Sequence, residues 1–224
     1  MYVDKGVLVA SASARRRVVV VGSSGGSTVQ FPAPVEFLEA LSQQLARISQ
    51  GAAVSIEYAA RHPDRVSHLI LFGGYAAGWR HTAKPEEVSE REAVMTLTKS
   101  GWGRSNPAYR RLFSQTFMPD ATAEELEWFD EFQRRTTSAE NAVRFLEAFA
   151  SIDVRHRLKD VQAPTLVVHS RGDQRIPVAQ GQALAAQIPD SQFVGLDTRN
   201  HLLLGRETAS SEFLKAVSDF LADS

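Results

Sequence analysis

The 224-residue chain contains no cysteine. That absence excludes a disulfide framework, thiolate metal sites and a cysteine nucleophile. Net charge is almost absent too: 25 Lys and Arg against 26 Asp and Glu give a formal −1 at pH 7. Such a balance offers no attraction for nucleic acid or an anionic membrane, and neither is expected as a partner. The short basic clusters Arg15-Arg16-Arg17, Arg110-Arg111 and Arg134-Arg135 read as solvated faces. Long apolar runs are missing as well. The longest, such as Val18 to Val21, fall far below the roughly 20 residues that a membrane-spanning helix needs. Gly6-Val-Leu-Val-Ala followed by Ser-Ala-Ser-Ala has the outline of a signal peptide. Its apolar stretch is too short, and Arg15 to Arg17 follow it instead of preceding it, so it reads as a strand. Cytoplasmic location is therefore the default expectation. No histidine pair stands at metal-ligand spacing with a carboxylate, and neither a metal nor another cofactor is expected.

What is present is globular in character. Hydrophobic residues make up 43% and charged residues 23%, enough apolar material for one domain with a substantial core. Three textures follow one another. Residues 1 to 77 hold strand candidates at Gly6 to Ala10, Val18 to Val21 and Val66 to Phe72. Between them, helical spacing runs over Phe37 to Leu45 and again over Gln50 to Arg61, where His62-Pro63 stops it. Residues 78 to 160 show no convincing strand. Helices are predicted there over Glu86 to Lys99, Pro107 to Phe117, Ala123 to Arg135 and Ala139 to Ile152, two of them opened by Thr122-x-x-Glu125 and Ser138-x-x-Asn141. Residues 161 to 224 return to alternation: strand Thr165 to His169, helix Val178 to Gln187, strand Phe193 to Leu196 and helix Glu207 to Leu221. Nearly all-apolar strands alternating with helices predict an α/β fold with a doubly wound, mostly parallel sheet. The expected organisation is a core from 1–77 and 161–224, with 78–160 as a helical cap.

Chemistry concentrates at a few places. In Arg47-Ile-Ser-Gln-Gly51, a serine stands between a short strand (about Leu45 to Ile48, interrupted by Arg47) and a helix. A nucleophile elbow needs a sharp strand-to-helix turn with small residues two positions either side of the serine. Gly51 meets the downstream requirement and Arg47 does not meet the upstream one, so by pattern alone an ordinary helix start fits the stretch equally. Asp173 directly follows a buried strand, at the edge where α/β sheets gather functional loops. His201 sits in the polar turn Asp197-Thr-Arg-Asn-His, ahead of three leucines. Of the other histidines, His169 reads as a hydrogen-bonded core residue, and His81 and His156 as exposed.

The stretch from Ile48-Ser-Gln-Gly-Ala-Ala to Leu-Ile-Leu-Phe-Gly74 resembles the elbow, helix and next strand of the α/β-hydrolase family. The resemblance extends to Arg171-Gly-Asp-Gln-Arg-Ile-Pro177 and Arg199-Asn-His-Leu-Leu203. Carried over residue by residue, it implies Ser49 as nucleophile, Asp173 as the acid and His201 as the base, in the chain order expected for that fold. It also implies a cofactor-independent serine hydrolase acting on small carboxylic esters or lactones. The amide of Gln50 would stabilise the oxyanion, helped by the turn Gly22-Ser-Ser-Gly-Gly26 through Ser23 and Ser24. That turn also satisfies Gly-x-Ser-x-Gly around Ser24, but two prolines follow it and no helix, so a plain turn is the other reading. The helical segment matches the family's cap, and Trp102, Phe113, Phe117 and Trp128 are expected to line the substrate pocket, although helix packing explains aromatics there as well. The chain departs from the family pattern in its short N-terminal part, which holds no His-Gly motif. A catalytically impaired hydrolase fold, used for ligand sensing or protein interaction, is the alternative reading. The early strands could pair within one chain or across a homodimer.

Overall fold

A computed structural model describes residues 2–4, 7–9, 20–21 and 45–222, apart from 103, 105 and 107. Its strands are β1 (Tyr2–Asp4), β2 (Val7–Val9), β3 (Val20–Val21), β4 (Leu45–Ile48), β5 (Leu69–Phe72), β6 (Thr165–Ser170) and β7 (Ser191–Leu196). They form one sheet in chain order, antiparallel from β1 to β3 and parallel from β3 to β7. The helices are α1 (Gly51–Arg61), α2 (Trp79–Thr82), α3 (Pro85–Gly101), α4 (Ala108–Phe117), α5 (Ala123–Thr136), α6 (Ala139–Ser151), α7 (Val178–Gln187) and α8 (Thr208–Ala222). The predicted α/β class with a mostly parallel sheet is the observed one. No helix among the described residues is long and apolar enough to cross a membrane.

β5 and β6 explain themselves. All four residues of β5 and all six of β6 are buried, as strands covered on both faces must be. Because side chains alternate along a strand, Leu69 and Leu71 face one layer while Ile70 and Phe72 face the other. The first layer gathers Ala52, Ala53 and Ile56 of α1 with Leu158, Leu184 and Ile188. The second packs Leu166, Val168 and Leu196 beneath Ala209, Val217 and Phe220 of α8. Helices on both faces make the sheet doubly wound. The alanines of α1 let it approach closely: a Cβ on Gly74 would lie 2.4 Å from Ala52 Cβ.

Boundaries moved where tertiary contacts decide them. β5 begins at Leu69, because Pro63–Arg65 winds into a 3₁₀ turn first. β7 begins two residues before Phe193, extended by pairing of Ser191 with Thr165. Arg47 does not interrupt β4, since it continues the ladder between Val21 and Leu71. The predicted helix at Phe37 lies outside the described residues except Leu45, which already belongs to β4.

Between β5 and β6 the chain leaves the sheet as α2 to α6. The excursion is pinched at its base by an antiparallel bridge between Ala77 and Asp153. Gly78 N donates to Ile152 O at 2.7 Å and Val154 N to Ala76 O at 2.8 Å. A side chain on Gly78 would collide with Phe149 O at 2.2 Å, so the crossing requires glycine. The expected capping box at Thr122 and Glu125 is formed, and Ser138 caps α6 through the Asn141 amide.

Candidate active site

β4, β5 and β6 are parallel neighbours, so their C-terminal ends open on one edge of the sheet. Ser49, Gly73 and the Arg171–Asp173 turn follow at that edge, and β3 ends there too. Ser49 adopts φ 58°, in the left-handed region that non-glycine residues seldom occupy. Its amide donates to Phe72 O at 2.8 Å, and its carbonyl accepts from Ala52 N at 3.0 Å. The residue is clamped between a strand end and the first turn of α1, with only 2% of its surface exposed. This is the strand–turn–helix geometry of an elbow, in which backbone strain accompanies a functional position.

His201 and Asp173 meet beside it. His201 Nδ1 lies 2.6 Å from Asp173 Oδ2, and both side chains are buried. The other carboxylate oxygen accepts the amides of Arg175 at 2.7 Å and Ile176 at 2.9 Å. A carboxylate only accepts hydrogen bonds, so Nδ1 carries the proton and Nε2 presents its lone pair. That Nε2 is buried and has no hydrogen-bond partner among the described residues, Ser49 Oγ included. Gly73, at φ 58°, leaves room for the ring: a Cβ there would sit 2.9 Å from His201 Cε1.

The loop carrying His201 is tied from two sides. Glu207 accepts from Thr198 Oγ1 at 2.6 Å and from Asn200 Nδ2 at 3.1 Å, and Ser170 Oγ donates to Asn200 O at 2.7 Å. From the helical excursion, Phe117 O accepts both the His201 and Leu202 amides, at 2.8 and 3.0 Å. The Phe117 ring meets the imidazole edge-on at 5.4 Å. A second histidine, His169, is wholly buried under the Asp173 loop. Its Nε2 bonds Ile176 O at 2.9 Å and lies 3.6 Å from Asp173 Oδ2. Burial pushes its pKa down, so the ring is held neutral with Nε2 as donor.

Ser49 and Gln50 open into a cavity of about 150 Å³, walled by Tyr75, Trp79, Arg91, Phe113, Phe149 and Arg175 among others. Of the four aromatic residues expected there, Phe113 lines it. Phe117 stands instead against His201. Trp102 packs behind Phe113 at 5.9 Å with its Nε1 bonded to Thr137 O, a core position. Trp128 is 62% exposed and stacks on Phe132 at the surface. On α5 the buried residues are Leu126, Phe129, Asp130 and Gln133, and Trp128 projects away from that stripe. Ser23 and Ser24 lie outside the described residues. Sequence reasoning missed Tyr75, Arg91 and Arg175, although Arg175 sits within the quoted Arg171–Pro177 stretch. No group of three or more acidic, histidine or cysteine side chains that could hold a metal ion occurs among the described residues.

Comparison with known proteins places the chain in a family. Residues 42–208 match the model of a family described as serine aminopeptidase, S33. The chain is 26% identical over 153 residues to the RutD protein of Klebsiella pneumoniae, covering 67% of this chain and 56% of RutD. It is 25% identical over 213 residues to a pimeloyl-[acyl-carrier protein] methyl ester esterase of Aromatoleum aromaticum, covering 85% of this chain and 81% of that enzyme. Among solved structures, the enol-lactonase of Burkholderia xenovorans superposes with a TM-score of 0.60 at 23% identity, over 83% of this chain and 67% of that one. The chain thus spans little more than half the length of RutD.

Proposed function

The chain belongs to the α/β-hydrolases, in the family described as serine aminopeptidase S33, and from that premise we propose that it is a serine hydrolase cleaving carboxylic esters or lactones through an acyl-enzyme. The observation that carries this reading is the Asp173–His201 contact of 2.6 Å at the same sheet edge as the strained turn of Ser49. Ser49 Oγ attacks the substrate carbonyl carbon, and its proton passes to His201 Nε2. Asp173 keeps the imidazole in the tautomer that can accept that proton and stabilises the cation formed. The amide of Gln50, at the start of α1, donates to the developing oxyanion, where the helix end adds a favourable dipole. Collapse of the tetrahedral intermediate breaks the bond to the alcohol oxygen, which leaves with the proton from Nε2. A water then attacks the acyl carbonyl and gives one proton to Nε2; as the bond to Ser49 Oγ breaks, that proton returns to Oγ, and the acid is released. In this reading 78–160 is a cap over the site, and Phe113 and Phe149 shape the acyl pocket.

One observation favours a second reading, a hydrolase fold that binds ligands without turnover: His201 Nε2 is not bonded to the Ser49 hydroxyl. Catalytic hydrogen bonds are often long before substrate binds, so the missing contact does not by itself decide against turnover. Hydrolysis of short-chain p-nitrophenyl esters, with labelling by an active-site serine phosphonate, separates the two. Wild-type turnover and labelling, both lost in Ser49→Ala, are the expected result. No turnover and no labelling of wild type decides for the binding module.

A further inference from the structure

The wall of the Ser49 cavity carries two guanidinium groups, and neither has a carboxylate within ion-pairing distance among the described residues. Arg175 comes from the loop between Asp173 and Pro177, and its guanidinium lies over the rings of Phe113 and Phe117 at 5.4 and 5.0 Å. Arg91 comes from α3 and lies 5.9 Å from the ring of Trp79, another wall residue. Two neighbouring acids are engaged elsewhere: Glu92 pairs with Arg80, and Asp173 with His201. Burial first, and the nearby Arg91 charge second, push the Arg175 guanidinium down to about 10, while burial holds the Tyr75 phenol up at about 12. At neutral pH the wall therefore presents two cations beside a neutral hydroxyl. Both arginines are half-buried, and two like charges on one wall repel each other, a cost that a bound anion relieves.

We propose that the acyl group cleaved at Ser49 ends in a carboxylate seated between Arg91 and Arg175, so that the substrate is a half-ester of a short dicarboxylic acid. This rests on the hydrolase reading above for the role of Ser49. Arg and carboxylate match in shape as well as charge, since the planar fork of donors meets two oxygens at once. Size limits the chain. A cavity of about 150 Å³ resembles one that admits a benzene-sized guest, which leaves room for on the order of six non-hydrogen atoms beyond the ester carbonyl. The sign of the charge excludes other occupants. Among the described residues no Asp or Glu lines the cavity, so the α-ammonium of a peptide would meet two cations there and no carboxylate.

Monomethyl glutarate and methyl valerate share chain length and ester and differ only at the far end. Wild type is expected to prefer the anionic ester by about tenfold or more in kcat/KM, largely through KM. Arg91→Gln and Arg175→Gln each bring that ratio towards one, and Arg175→Lys retains part of it. Equal or better cleavage of methyl valerate by an active wild type overturns the proposal while leaving the hydrolase reading intact. If neither ester turns over and no serine phosphonate labels the protein, the hydrolase reading fails, and the anion site is read directly by titrating glutarate into Ser49→Ala by calorimetry. Saturable binding weakened about tenfold by Arg91→Gln supports it. No binding, or binding indifferent to both arginine variants, overturns it. Arg91 stands on a half-buried helix face, so its variant serves should Arg175→Gln fail to fold.

Discussion

The loops at the sheet edge and the helical excursion both bury polar networks, yet the two networks differ in how they end. In the excursion, Asp130 has both oxygens occupied, one by the Ser114 hydroxyl and the other by Arg111 Nε at 2.7 Å. Ser114 in turn accepts from Gln133 Nε2 at 2.8 Å. That network closes on itself and holds α4 to α5. At the sheet edge, the chain of contacts from the Arg175 and Ile176 amides through Asp173 to His201 ends on Nε2, which has no partner among the described residues. The sheet-edge cluster thus leaves a buried ring nitrogen unspent at the edge where the Ser49 turn stands. The Asp130 cluster joins two helices, and the Asp173 cluster is the one we propose to carry chemistry.

Substitutions break this contrast in a definite order. Ser49→Ala and His201→Ala are expected to lower kcat/KM for a chromogenic ester by roughly 10⁴-fold or more, with circular dichroism unchanged. Asp173→Asn should cost about as much, on the order of 10⁴, because the amide no longer enforces the tautomer. Retention of a tenth of the wild-type rate in any of the three removes that residue from the mechanism. Asp130→Ala should do the reverse. Leaving Arg111 and Ser114 without their partner costs about 2–3 kcal/mol of stability, read as a lower urea midpoint, while the folded fraction keeps its specific activity.

A smaller effect comes from beneath the Asp173 loop. Burial depresses the pKa of His169, so the unfolded chain binds a proton there that the folded chain refuses. Stability is therefore complete above the ordinary histidine pKa of about 6.5 and declines as pH falls below it. Melting temperatures at pH 7.5 and 5.5 check this. His169→Gln, which keeps a donor for Ile176 O, should narrow the difference between them. An unchanged difference would assign the acid sensitivity to other groups, such as His68, which burial also depresses.

The same contrast governs what could be read from the sequence. Ser49, Asp173 and His201 were singled out by the resemblance of their stretches to the α/β-hydrolase family, while short-range rules placed only the strands before them: apolar runs, Gly73-Gly74 and Pro177. The six buried residues of β6 needed nothing else. The cavity wall was not legible. α3 buries only Met95, Thr98 and Gly101, too few to mark by period which of its charged residues turns inward. Which of those charges turns towards Ser49 depends on how the excursion folds back over the sheet, and no local period encodes that. Arg175 escaped for a related reason. It lies between the acid and a proline, where sequence supplies the loop but not the aromatic rings of α4 that receive its side chain.

Trp128 makes the finest test of that limit, because its place in an aromatic-rich, cap-like segment put it with the pocket aromatics. At 62% exposed and stacked on Phe132, it contributes little buried area and lies off the buried stripe of α5. Trp128→Ala is expected to change stability by no more than about 0.5 kcal/mol and to leave ester kcat/KM at the wild-type value. Phe113→Ala, in the same excursion but in the cavity wall, should cost about 3 kcal/mol and alter substrate preference. If the tryptophan variant shifted preference as the phenylalanine variant does, the excursion would have to close further over Ser49 when substrate binds. Aromatic content would then have predicted the pocket better than helical face.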